Sequence, residues 1–330
     1  GAVAVLYVVD QPNLATWKRQ LDRFSSGGSF MPVSRVDNGV PSLSISAETA
    51  TKISSLNASM APGSAPKVGM KMTVEKETAM TWNVVAIIPG TDPKLKDEFV
   101  AIGAHYDHVG IGSPDATGDT IYNGADDDGS GTVAMLEIAR AIASGNRTKR
   151  SVLFVWHTGE EKGLWGSAHF CANPTVDLSK IAIQINLDMI SMTKRPGDTN
   201  PRNATLAGPN ELYLIGPKIV SSQITKLTEA TNNAYLKMKL NDRHDTLDDP
   251  ERIFFRSDHY SYIQKGVPAV FFFSGAHEHY HRPSDEVDVI DFEKLTTATR
   301  TIYAVLRAFG NTSDRPVIEG PARQLLGLGD

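Results

Sequence analysis

Adjacent acids Glu160 and Glu161 sit in SVLFVWHTGEEKGLWGS, directly after an apolar run with the composition of a buried strand. A carboxylate pair at a strand's C-terminal end can divide its work, one acid holding a metal ion while the other moves protons for the water the ion activates. Alone, GEEKG reads as a solvated, Gly-flanked turn, since exposed acids are the rule. The other acids and histidines at the ends of apolar runs reverse that reading. His105 closes FVAIGAH and is followed two residues later by Asp107. Residues two apart in a strand share a face, so the acid can stand behind the ring and hold a metal-binding imidazole in one tautomer. Asp126, Asp127 and Asp128 lie among Gly124, Gly129 and Gly131, ahead of a helical pattern with Val133, Leu136, Ala139 and Ile142 near one face. One Asp is enough to cap that helix; the spare carboxylates include one that can bridge two cations. Asp188 ends the apolar KIAIQINL and needs a partner if it is buried. The run VPAVFFF leads into a loop with His277, His279 and His281.

These signals recur in the order His105, Asp127, Glu160/Glu161, Asp188, His281. Open α/β sheets build their sites beyond the carboxyl ends of the strands, where all five fall. Two imidazoles and three carboxylates suit two borderline divalent ions, Zn²⁺ first, with Mn²⁺ or Co²⁺ as substitutes. The remaining Glu is then free to act as a base.

The elements that must position these groups follow an α/β pattern from residue 82. Strands are expected at NVVAIIP, FVAIGAH, SVLFVWH, IAIQINL, LYLIG and VPAVFFF, and helices over residues 131–144, 220–233 and 291–309. Ahead of them, GAVAVLYVVD reads as a buried strand already under way, so the chain is expected to start inside a domain, and PSLSISAETATKISS reads as a strand followed by a helix. Beyond residue 312 the Pro and Gly content predicts an extended tail or linker over residues 313–330. With 330 residues, 41% hydrophobic and 22% charged, the chain can bury a large core or two domains. Its net charge of −5 and lack of a basic run argue against nucleic-acid binding, and no apolar stretch approaches the roughly 20 residues of a membrane span. The single Cys171 excludes an intrachain disulfide.

The strings GAHYDH, NGADDDGSG, HTGEEKGLWGS, INLDMI, RSDHYSY and YHRPSDEVD resemble, in order, those of the co-catalytic di-zinc aminopeptidases, a superfamily that includes glutamate carboxypeptidase II and the transferrin receptor. The resemblance runs from about residue 82 to about 310. It implies a three-layer zinc-exopeptidase fold with a central mixed, mostly parallel sheet over residues 81–312, and a partial protease-associated domain over residues 1–80. Carried over by position, it implies that His105 and Asp188 bind one Zn²⁺, Glu161 and His281 the other, and Asp127 both. Glu160 becomes the general base for a water bridging the ions, Asp107 orients His105, and Tyr280 helps stabilise the oxyanion. The implied substrate is a peptide with a free N-terminus, and the implied location is secreted or periplasmic. A carboxypeptidase or dipeptidase of the same superfamily is the alternative; it needs a cation for the substrate carboxylate, with Arg256 and Arg202 as candidates, whereas Asp258 is a candidate partner for a substrate ammonium. A receptor-like homologue would lack ligands, and none is missing here. A glutaminyl-cyclase-like transferase would use one zinc only.

Overall fold

The computed structural model describes residues 5–9, 42–60, 78–145 and 147–327. The chain divides into two compact units, Gly1–Met80 and Thr81–Asp330. In the first, β1 (Val5–Val9) pairs in parallel with β2 (Ser42–Ser46), which runs into α1 (Ala47–Ala58). The strand-then-helix reading of PSLSISAETATKISS matches this; much of the remaining stretch expected to form a partial protease-associated domain lies outside the described residues.

The second unit is built on β3 (Val84–Ile88), β4 (Phe99–His105), β7 (Ser151–His157), β8 (Ile181–Leu187), β9 (Glu211–Ile215), β10 (Lys239–Asn241) and β11 (Ala269–Phe273). They form one seven-stranded sheet in the order β10-β9-β11-β8-β4-β7-β3. The central four, β11-β8-β4-β7, run parallel, while β3 and β9 each meet a neighbour antiparallel. A small hairpin, β5 (Gly110–Ile111) and β6 (Ile121–Tyr122), follows β4. The helices are α2 (Gly129–Ser144), α3 (Trp165–Ala172), α4 (Pro217–Val220), α5 (Ser222–Ala234), α6 (His259–Ile263), α7 (Phe292–Asn311) and α8 (Gly320–Leu325).

β4, β7 and β8 read as continuous apolar runs because a central parallel sheet is covered on both faces. Alternation sorts their side chains. Val100, Ile102 and Ala104 of β4 join Ala134, Met135 and Ile138 of α2 and Ile302 and Val305 of α7 on one face. Ala101 of β4 and Leu153 and Val155 of β7 meet Phe170 and Cys171 of α3 and Tyr262 of α6 on the other. Burying each such Val, Leu, Ile or Phe contributes about 1.5–3 kcal/mol, and the result is helix, sheet and helix in three layers.

Two expectations need correction. The buried stripe of α2 is Ala134, Met135, Ile138 and Ile142, while Val133 and Leu136 are exposed; the face is rotated by about one residue, because β4 and α7 decide which side is covered. Residues 312–327 are not an extended tail. Arg150, itself buried, donates to the carbonyls of Thr312 and Ser313, Glu319 N–H donates to Val220 O at 2.8 Å, and α8 buries Ala322 completely. Ile318 and Leu326 pack on the main core.

Candidate metal centre and active site

Each acid or His singled out at a strand end emerges at the C-terminal edge of the central parallel strands. Across β11, β8, β4 and β7 the order is the His281 loop, Asp188, His105 and the Glu160/Glu161 turn. Asp127 enters from the loop ahead of α2. Gly159, at φ 66°, turns the chain out of β7 so that Glu160 and Glu161 start a short 3₁₀ turn; a left-handed residue there favours glycine. Met189 and His281 are non-glycine residues held at φ 53° and 54°, strained positions of the kind that cluster at functional sites.

Among the described residues two groups of donor atoms form. His105, Asp127 and Asp188 each offer one atom, all within 4.8 Å of one another, and His108, Asp127 and Glu161 do the same. In the first group, His105 Nε2 lies 3.1 Å from Asp127 Oδ1 and 3.7 Å from Asp188 Oδ1. In the second, His281 Nε2 approaches Asp127 Oδ2 at 3.2 Å and Glu161 Oε2 at 2.9 Å. Asp127 therefore faces both groups.

The tautomer of His105 follows from its other nitrogen. Nδ1 sits 2.8 Å from the main-chain carbonyl of Asp107. A carbonyl only accepts, so Nδ1 carries a hydrogen, and Nε2 is the nitrogen that faces Asp127 and Asp188. The residue expected behind His105 is there, but the expected partner atom is not: Asp107 Oδ1 stands 3.8 Å from the ring and instead accepts from Glu160 N–H at 3.2 Å.

The charges are strongly interdependent. Burial pulls His105 down, yet the carboxylates of Asp127 and Asp188 outweigh it and hold the imidazole well above its usual range. Burial likewise opposes His281, which Asp127 and Glu161 hold at about 9. Burial pushes Asp127 and Glu161 up, but their histidine partners bring both below the ordinary carboxylate range. Burial pushes the Glu160 carboxyl well up, reinforced by the nearby Asp188, Asp258 and Asp127 charges. The acids thus demand positive charge at the positions of the histidines.

The three aspartates have separate tasks. Asp128 caps α2 through Gly131 N–H and also accepts from the main chain of His105 and Met189, tying three site segments together. Asp126 accepts from both Ser191 N–H and its hydroxyl and faces the buried His277 at 3.3 Å. Asp127 alone of the three belongs to the donor groups. Its backbone is held by Asp285, whose carboxylate accepts from the N–H groups of Asp126 and Asp127. Ser257 donates to Asp188 Oδ2 at 2.6 Å, leaving Oδ1 toward His105. Sequence reasoning missed His108, Ser257 and Asp285; for His108 the available signal was its place in HYDH.

A cavity beside the donors is lined by Asp127, Glu160, Asp188, Arg256 and Tyr280, with Met189, Ile253, Phe271, Phe273 and Ala276 as apolar walls. Arg256 donates to the Tyr280 hydroxyl at 3.2 Å, and Tyr280 stacks on His281 with ring centroids 3.9 Å apart. Arg202 is exposed on a separate turn and does not line the cavity. Asp258 does not reach it either: it is buried and faces His157 at 3.2 Å, whose other nitrogen is 3.0 Å from the Tyr262 hydroxyl. As an anchor for a substrate ammonium Asp258 is therefore withdrawn.

The residues fit divalent ions. His105 Nε2, His108 Nδ1, Asp127 Oδ2 and Glu161 Oε1 are buried and have no hydrogen-bond partner. Orphaned buried polar atoms are rare and costly in folded proteins, and here they converge on one pair of positions.

A mixed α/β sheet with an acid–histidine centre at its carboxyl edge is the architecture of a metal-dependent exopeptidase. The chain belongs to peptidase family M28, whose model matches residues 83–306. It is 28% identical over 291 residues to leucine aminopeptidase 2 of Trichophyton rubrum, covering 81% of this chain and 52% of that protein. The chain spans about half the length, or less, of the curated relatives it matches. Among solved structures, an aminopeptidase from Aneurinibacillus sp. strain AM-1 superposes with a TM-score of 0.60 at 22% identity, covering 97% of this chain and 66% of that one. A zinc aminopeptidase from Bacillus subtilis gives 0.53 at 22% identity, covering 70% and 51%.

Proposed function

We propose that this chain is a two-zinc exopeptidase that removes N-terminal residues from peptides. The observation that carries the reading is the convergence of partnerless donor atoms, from His105, Asp127 and Glu161 among others, on a cavity that also holds Glu160. His105 and Asp188 would hold one ion, Glu161 and His281 the other, and Asp127 both; Mn²⁺ or Co²⁺ would substitute. When bound, such ions acidify water and polarise a scissile carbonyl.

The chain's own groups do the rest. Glu160, with its carboxyl pushed up by burial, takes the proton of the attacking water and returns it to the leaving amine. Tyr280 accepts from Arg256, so its own O–H is free to donate to the oxyanion. Asp107 holds the Glu160 main chain through its carboxylate and the His105 ring through its carbonyl. Asp127, Glu160 and Asp188 line the cavity, and relatives named leucine aminopeptidase support a substrate with a free N-terminus. The apolar walls suit an apolar N-terminal side chain, in keeping with relatives named leucine aminopeptidase. Residues 1–80 are assigned to a partial protease-associated domain, residues 81–312 to the catalytic domain, and the protein's site of action to the exterior or periplasm. Family resemblance supports these assignments.

Arg256 in the cavity favours a second reading, a carboxypeptidase that uses it to bind the substrate carboxylate. Comparing Leu-Gly-Gly with its N-acetylated form separates the two. Release of leucine from the free peptide alone is expected; release of C-terminal glycine from the blocked peptide would transfer the assignment to the carboxypeptidase.

A further inference from the structure

We infer that His108 is itself a metal ligand, so that the ion at Glu161 and His281 is held by four protein donors while the ion at His105 and Asp188 is held by three. This rests on the two-zinc reading above and adds a residue to it.

His108 follows β4 by three residues and turns its ring into the centre. Its side chain is 6% exposed, and Nδ1 lies 2.8 Å from Glu161 Oε1 and 3.6 Å from Asp127 Oδ2. At 2.8 Å a hydrogen bond would be expected, yet Nδ1 and Oε1 are both without a hydrogen-bond partner. Two polar atoms that are close but misaligned point at a shared position rather than at each other.

The spacing fits a cation at that position. For metal–donor bonds of about 2.0–2.1 Å, a tetrahedron has edges of about 3.3–3.4 Å. The four edges recorded among His108 Nδ1, His281 Nε2, Asp127 Oδ2 and the Glu161 oxygens are 2.8, 3.6, 3.2 and 2.9 Å. The two imidazoles stand edge to face, with centroids 5.6 Å apart and planes at 72°, so neither ring blocks the other's lone pair. The backbone makes room for this: a Cβ on Gly124, at φ 67°, would fall 2.5 Å from His108 Cγ. With Nδ1 as ligand, Nε2 carries the ring hydrogen; that atom is also buried and without a hydrogen-bond partner among the described residues.

The arrangement makes the two ions unequal. A site with four protein donors is closed in the manner of structural zinc sites, and one with three keeps a position open. The His108 site should therefore fill first and empty last.

The test uses the full chain loaded with zinc alone. Crystals measured at the zinc edge should place an ion about 2.0–2.1 Å from His108 Nδ1. Two ions with Nδ1 hydrogen-bonded to Glu161 instead would overturn this inference and leave the two-zinc reading standing; a single ion per chain would overturn both. In solution, chelator competition on His108→Ala and His108→Gln should show one of two zincs weakened by more than the roughly 10–100-fold typical of removing an outer partner, with the other unchanged. Two zincs bound as tightly as in the wild type would count against a ligand role.

Discussion

Replacing Glu160 by Gln separates proton transfer from metal binding. The Glu160 carboxylate lines the cavity but belongs to neither donor group. Its main-chain N–H is fixed by Asp107 at 3.2 Å, and the turn is set by Gly159, neither of which depends on the side chain. Gln keeps the size and removes the base. Loss of a general base is typically about 10²–10⁴-fold, or about 2.7–5.4 kcal/mol at 1.36 kcal/mol per decade. The expected result is therefore full zinc content with kcat on leucine p-nitroanilide reduced by that factor. Glu161→Gln is the contrast: its carboxylate faces both His108 and His281, so zinc content should fall with rate. Metal analysis and turnover measured on the same preparations decide. A zinc-replete Glu160→Gln chain retaining more than about a tenth of wild-type turnover would refute the base assignment, and zinc loss in Glu160→Gln but not Glu161→Gln would exchange the two roles.

Tyr280→Phe removes a hydroxyl that Arg256 already serves as donor, so kcat should fall by up to about 10²–10³-fold with KM little changed; an unchanged kcat removes Tyr280 from the reaction. Lys294 is buried and donates to the carbonyls of Met192 and Gly208, and burial depresses its pKa to about 8. Its unfolded value is about 10.4, so between those values the unfolded chain binds more protons and stability rises with pH, by at most about 3 kcal/mol; urea midpoints should climb more steeply over that window in the wild type than in Lys294→Met, and equal slopes would refute the burial argument. Cys171 is buried, and burial pushes its thiol up to about 12, so iodoacetamide at pH 8 should leave it unmodified until the chain is unfolded; rapid labelling of the folded chain would contradict its place on the buried face of α3.

What was legible in this chain is what local pattern encodes. β4, β7, β8 and β11 announce themselves as apolar runs because both faces of a central sheet are covered, and a residue that ends such a run, or sits in the loop directly after it, is brought to the carboxyl edge. His105, Glu161, Asp188 and His281 could therefore be placed together without knowing a single contact. What stayed hidden depends on partners distant in sequence. Asp258 reads as a polar loop acid, but His157 at the end of β7 meets it and draws it away from the cavity. Val133 and Leu136 satisfy a helical period as well as the true stripe does, and only the sheet chooses between them. The hydrogen bond from His105 goes to a carbonyl, which every residue has, so no residue type could signal it. His108 is hidden for a further reason. An imidazole after a strand is ordinarily structural, and its lone pair acquires meaning only when Glu161, Asp127 and His281 arrive from three other segments. The proposed metal centre is thus specified twice, by strand ends that sequence pattern exposes and by loop geometry that only the folded chain does, and the asymmetry proposed for its two ions belongs to the second.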